Sequence, residues 1–136
     1  MSDESYIGEW VRGDVFPFVF WELTERRYNT TTKRVEEYEP DLSNEYDWIK
    51  FYAKHDNNNC DVNSLTNYDI AGGTIVVDGE NVCHYEWAQN DLQKIGRYYA
   101  RLRFKRTSDG KEFFSKKLYI FEVVNTMPGS FGSVGS

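Results

Sequence analysis

The segment Gly96 to Lys105 alternates without a break. Tyr98, Ala100, Leu102 and Phe104 fall on one side of an extended chain, and Arg97, Tyr99, Arg101, Arg103 and Lys105 fall on the other. A helix would scatter these apolar groups around its whole circumference, whereas a strand gathers them on one face that can be buried. Ser108-Asp109-Gly110-Lys111 follows, with an Asp-Gly pair that accommodates the positive φ angles of a tight hairpin turn. A second aromatic and β-branched run, Glu112 to Val124, then returns alongside. This hairpin commits the chain to β-structure.

The same signals recur upstream. Thr74 to Val77 and Asn81 to Trp87 flank Asp78-Gly79-Glu80, a second Asp-Gly hairpin. Tyr46 to His55 reads as a half-buried strand, with Ile49, Phe51 and Ala53 inward and Trp48, Lys50, Tyr52 and Lys54 outward. Ile7 to Arg12 suits a short edge strand. From Val15 to Thr24 apolar residues occupy both faces, which predicts a strand buried between two layers, with Pro17 at an edge, a bulge or the strand's beginning. Tyr28 to Tyr38 is charged and Thr-rich and reads as a solvent-facing excursion or weak hairpin. Pro40 to Asn44 is a loop by its turn residues, and Asn90 to Lys94 offers one helical turn at most. No window carries a sustained helical repeat, so the expected architecture is a sandwich of two antiparallel sheets.

With 136 residues the chain has room for one core. Residues 1–124 are expected to form that domain, and the Gly/Ser-rich segment 125–136 a flexible tail. Ten Tyr, nine Phe and four Trp suit pleated, half-buried surfaces, which again favours sheet over helix. A net charge of −6 argues against affinity for a phosphate backbone. Nucleic acid is therefore not an expected partner, and neither is a membrane, since no apolar run approaches bilayer-spanning length. The acidic start Met1-Ser2-Asp3-Glu4-Ser5 lacks the features of a secretory signal, so synthesis in a cytoplasm is expected, with Cys60 and Cys83 as reduced thiols. Asn29-Thr30-Thr31, a glycosylation acceptor by pattern, is then only a polar turn.

Five elements of the second half occur in a familiar order: Gly73-Thr74-Ile75-Val76-Val77, Val82-Cys83-His84-Tyr85-Glu86-Trp87, Asn90-Asp91, Gly96-Arg97-Tyr98-Tyr99-Ala100 and Asp109-Gly110-Lys111-Glu112. Over residues 70–124 this resembles the immunoglobulin-like (Ig-like) β-sandwich domain at the N-terminus of upper baseplate proteins in tailed bacteriophages, and similar domains of other virion components. The resemblance implies an all-β fold: a single Ig-like antiparallel β-sandwich with a long charged insertion, Glu25 to Glu45, between early strands. It further implies a structural virion protein of baseplate, tail, neck or head, made in the host cytoplasm. Such a protein docks onto other virion proteins as a homo-oligomer or part of a symmetric assembly, and carries no catalytic residues.

The residues themselves point away from catalysis. His55 and His84 have no metal-ligand spacing, and no nucleophile elbow, phosphate loop or dinucleotide fingerprint is present. The expectation is therefore no enzyme, no cofactor and no metal. Asp56, Asn57, Asn59 and Asp61 cluster oxygens but match no calcium loop, so a polar turn is preferred. Glu36, Glu37, Glu39 and Asp41 read as a solvated stretch.

The candidate interaction surface is a stripe of cations, Arg97, Arg101, Arg103 and Lys105, together with the outward rings Trp48, Tyr52 and Tyr99. Lys116 and Lys117 are placed to widen it. If that stripe docks, its partner is acidic. The alternative reading is a carbohydrate-binding β-sandwich that uses the three rings as a stacking platform. A third is an acidic inhibitor that mimics phosphate charge.

Overall fold

The computed structural model describes residues 4–56 and 67–125. Its elements are β1 (Glu4–Val11), β2 (Val19–Glu22), β3 (Glu25–Asn29), β4 (Arg34–Tyr38), the single turn α1 (Leu42–Glu45), β5 (Tyr46–His55), β6 (Ile70–Val77), β7 (Val82–Tyr85), β8 (Gly96–Arg106), β9 (Glu112–Phe114) and β10 (Leu118–Val124). The chain is all-β, and one nearly closed sheet runs β1-β10-β8-β5-β6-β7-β2, with β9 beside β8.

β6 turns this sheet into two facing layers. Its first half pairs with β5 and its second half with β7. The corner falls at Gly72-Gly73, where Gly72 takes φ +79° and the register against β5 slips between Phe51 and Tyr52. A Cβ on Gly73 would collide with the ring of Tyr85, so close approach of the two layers demands glycine there. The result is a large sheet, β1-β10-β8-β5 with β9 and the start of β6, facing a small one made by the end of β6, β7 and β2.

Between the layers lies an aromatic core. Phe51 is fully buried, stacks on Tyr85 at 4.7 Å and meets Trp21 at 5.6 Å from the small sheet. Tyr98 stacks on Phe121 at 4.8 Å, and Trp10 meets Trp87 edge-on at 5.0 Å. Each such ring removed from water contributes about 1.5–3 kcal/mol before ordering costs.

The expected β8 pattern is realised, with Tyr98, Ala100, Leu102 and Phe104 all buried. The return run is broken: β9 and β10 pair with β8 two residues out of step, and Ser115-Lys116-Lys117 take up the difference. Hairpins form at both Asp-Gly pairs, although of Asp78, Gly79, Asp109 and Gly110 only Gly110 takes the positive φ expected of a tight primed turn, and β3 and β4 also form a hairpin. Two expectations are corrected. β1 pairs with β10 in parallel, because alternation specifies which face is buried and not which way a strand runs. The Val15 to Thr24 strand shortens to β2 and is buried on one face only: Val19 and Trp21 point in, while Phe20 and Glu22 point out.

The calcium-like group at 57–61, Cys60 and the tail from residue 126 lie outside the described residues.

Candidate functional site

The stripe and the outward rings share one surface. Trp48 lies opposite Lys105, Lys50 opposite Arg103, Tyr52 opposite Arg101 and Lys54 opposite Tyr99 on the outer face of the large sheet. The structure thus brings all seven predicted residues onto one region. It also engages most of them internally. Arg97 bonds Glu122 at 3.0 Å, Arg103 reaches Glu112 at 3.4 Å and covers the Phe114 ring at 4.5 Å, and Arg101 is fastened to the carbonyls of Ser115 and Lys116. Lys105 lies across from Glu112.

The rings are occupied as well. Lys50 Nζ sits 4.5 Å over Trp48, and Tyr52 meets Tyr68 at 5.0 Å and Phe114 at 5.8 Å, both edge-on. Trp48, Tyr52 and Tyr99 are all half-buried. Two of the three rings of the expected stacking platform thus already carry intramolecular partners, Trp48 over one face and Tyr52 edge-on.

A different surface lies on the outer side of the small sheet. Phe20 of β2, His84 of β7 and Val76 of β6 stand side by side in register. Phe18 stacks on the His84 ring at 5.6 Å, Phe20 lies against it at 5.0 Å, and Phe16 packs edge-on against Phe18 at 5.3 Å. Phe16 is 67% exposed and Phe20 60% exposed, so rings of core size face solvent. Val76, also exposed, extends the apolar area.

The segment that carries these rings is anchored from beneath. The Pro17 carbonyl accepts two indole N–H groups, from Trp10 at 2.7 Å and from Trp87 at 3.0 Å. Both tryptophans belong to the core, so the approach to β2 is tied to the interior while its phenylalanines point out.

At the centre of this surface His84 is held between two carboxylates, with Nδ1 2.6 Å from Asp78 and Nε2 2.9 Å from Glu86. The hydrogen bond to Glu86, then that to Asp78, raises its pKa against the opposing effect of burial. Protonated, the ring donates through both nitrogens; neutral, it has one proton to offer, and one carboxylate faces a lone pair. The ring is fastened on both edges and leaves neither nitrogen open to a metal or a substrate. Among the described residues no group of three or more His, Cys, Asp or Glu stands close enough to hold a metal ion. Cys83 faces inward, and burial pushes its thiol up to about 12, which keeps it unreactive at neutral pH. Tyr85 donates to Asp91 within the core.

β3 and β4 form a separate two-stranded ribbon, tied to the body by Arg27 and Tyr38 meeting Glu45. Burial would raise the Glu45 carboxyl, but the Arg27 guanidinium, the Asp41 N–H and the Tyr38 hydroxyl outweigh it and hold that carboxyl below its usual range. This clasp is structural.

No protein-family model matches the chain, and no curated protein matches it. Among solved structures the fold is similar to CopC from Methylosinus trichosporium OB3b, with a TM-score of 0.45 and 10% identity over 90% of this chain and 88% of that one. The expected kinship with Ig-like domains of tailed-phage virion proteins is thereby corrected, and with it the role in baseplate, tail, neck or head. The structural likeness found is to CopC and not to a phage component. The physical reason for the misreading is that a glycine-initiated strand, an Asp-Gly hairpin and an alternating aromatic strand are requirements of two-layer β-architecture itself. They recur wherever that architecture does.

The sequence reading passed over Phe16, Phe18 and Phe20 as core. A signal for the site was nonetheless present: three phenylalanines at alternate positions share one face that contains no polar residue until Glu22.

Proposed function

We propose that this chain is a non-enzymatic β-sandwich that recognises another protein through the outer face of its small sheet. The observation that carries this reading is the exposure of Phe16 and Phe20 on a segment anchored to the core, beside a histidine fixed at both ring nitrogens. Exposed rings held in one geometry lose little freedom on binding, and such aromatics supply a large share of interface energy. The titratable groups of β7 are engaged within the chain: His84 by two carboxylates, Tyr85 by Asp91, and Cys83 by burial in the core. That pattern supports binding over catalysis.

The test is a photo-cross-linking amino acid placed at position 20 and, in a second version, at position 99, in the cells that make the protein. The expected result is one protein joined through position 20 and not through 99. Binding of that protein, once purified, should fall at least about tenfold in the Phe16→Ser, Phe20→Ser double variant. Undiminished binding in the double variant would overturn the reading.

A further inference from the structure

The two edges of the sheet differ. β1 is interrupted by a register shift between Tyr6 and Gly8 and carries Glu4 and Glu9, both devices that discourage a further strand from pairing. β2 pairs with β7 in unbroken register and, among the described residues, has no strand on its other side. β2 is short and carries one exposed carboxylate, Glu22, but no bulge interrupts its four residues.

The backbone groups available on β2 follow from one hydrogen bond. Leu23 N–H donates to the Asn81 carbonyl at 2.8 Å. In an antiparallel pair the bonded positions alternate, so Trp21 and Val19 also direct their N–H and C=O toward β7. Phe20 and Glu22 therefore direct theirs to the open side. The same two residues place their side chains on the outer face. An incoming strand would meet two donors, two acceptors, an exposed ring and a carboxylate.

Charge says which strand that is. Around the rings stand Glu22, Asp78 and Glu86, three carboxylates against the positive charge of a protonated His84. A second copy of this chain would set those carboxylates against their own counterparts, in a protein whose net charge is already −6. A strand bearing lysine or arginine at alternate positions meets the carboxylates and lays its cations over the Phe16 and Phe20 faces. We propose that the partner docks by adding an extended, cationic strand to the free edge of β2. This rests on the small-sheet reading above and specifies the mode and the chemistry of the partner.

The test uses a capped peptide of alternating lysine and threonine, a glutamate-threonine counterpart, and a lysine peptide with a central proline. Amide exchange across the chain is followed during titration. Binding of the lysine-threonine peptide should protect the Phe20 and Glu22 amides at least about tenfold. The glutamate peptide should not bind, and the proline peptide should bind at least about tenfold more weakly. Glu22→Lys, at an exposed position, should reverse the preference between the lysine and glutamate peptides.

Lysine-peptide binding without protection at Phe20 and Glu22, or equal binding of the proline peptide, would overturn strand addition. Failure of the lysine peptide to bind at all would do the same. Either failure leaves the small-sheet reading standing as long as the protein cross-linked at position 20 still depends on Phe16 and Phe20. Concentration-dependent dimerisation abolished by Phe20→Ser would instead make a second copy the occupant and overturn the cationic strand.

Discussion

The two outer faces of the sandwich are built from similar residue types and end in opposite states. On the large sheet, Trp48, Tyr52, Arg97, Arg101 and Arg103 each have a partner within the chain, so the face is closed on itself. On the small sheet, Phe16 and Phe20 extend into solvent from an anchored segment, and β2 has no neighbour on one side among the described residues. A conspicuous pattern of cations and rings is therefore not the same as an unsatisfied surface. What distinguishes a binding face is how much of its rings is left in water: Phe16 and Phe20 touch Phe18 and His84 and remain mostly exposed, whereas Trp48 and Tyr52 are half-buried.

The sharpest way to break the comparison is to move the same substitution between core and face. Phe51→Ala removes a fully buried ring from the centre of the core and should cost about 3–5 kcal/mol, lowering the thermal midpoint by roughly 10 °C or more. Phe20→Ala, on a ring that is 60% exposed, should change stability by no more than about 0.5 kcal/mol while weakening the partner interaction. Calorimetry on the two variants checks this. A large loss of stability in Phe20→Ala would mean that the ring serves the fold.

A second prediction concerns the base under the phenylalanines. Trp87→Phe keeps an aromatic body in the core but removes one of the two indole donors to the Pro17 carbonyl. The expected cost is about 1 kcal/mol, with faster amide exchange confined to residues 14–18. Exchange that rises equally across the large sheet would show that the anchor is not local.

How much of this was legible follows from what alternation can encode. β8 was read correctly because its second face is polar, so only one burial pattern fits. The parallel pairing of β1 was not legible, since a period of two carries no direction. The β2 segment was misread for a more instructive reason. Phe16 to Leu23 is apolar on both sides, and that pattern is the same whether the second side is covered by the chain itself or by another molecule. The clamp on His84 was also hidden. Asp78 and Glu86 come within reach only once the hairpin turn and the exit from β7 bring their carboxylates to the two ring edges. A turn residue and a residue two positions along the chain gave no hint of a shared function.

A third prediction uses that clamp. His84 faces Glu86 from the end of β7, Asp78 from the end of β6, the rings of Phe18 and Phe20 from the β2 side, and Val76 across the sheet. Its folded-state pKa is raised, so its stabilising effect is complete below about pH 6.5 and is lost as pH rises through the elevated value. The His84 ring signals should titrate above about 6.5, and Glu86→Gln should bring the inflection down. A midpoint at or below 6.5 in the parent protein would contradict the clamp. Binding of the cationic strand should strengthen over the same interval, because the neutral ring no longer carries a positive charge and holds only one of its two carboxylates.

The smallest expected effect belongs to the face that looked most functional in sequence. Arg103 stands 3.4 Å from Glu112 and covers Phe114, a long ion pair with a partly exposed partner. Pairs of this kind contribute about 0–1 kcal/mol, and salt screens them further. Arg103→Gln should therefore lower stability by less than about 1 kcal/mol and leave partner affinity unchanged at both low and high salt. If affinity fell with this substitution and stayed intact in the Phe16→Ser, Phe20→Ser double variant, the two faces would have to exchange roles. The closed face would be the one that opens for a partner, and the exposed phenylalanines would be a surface without an occupant.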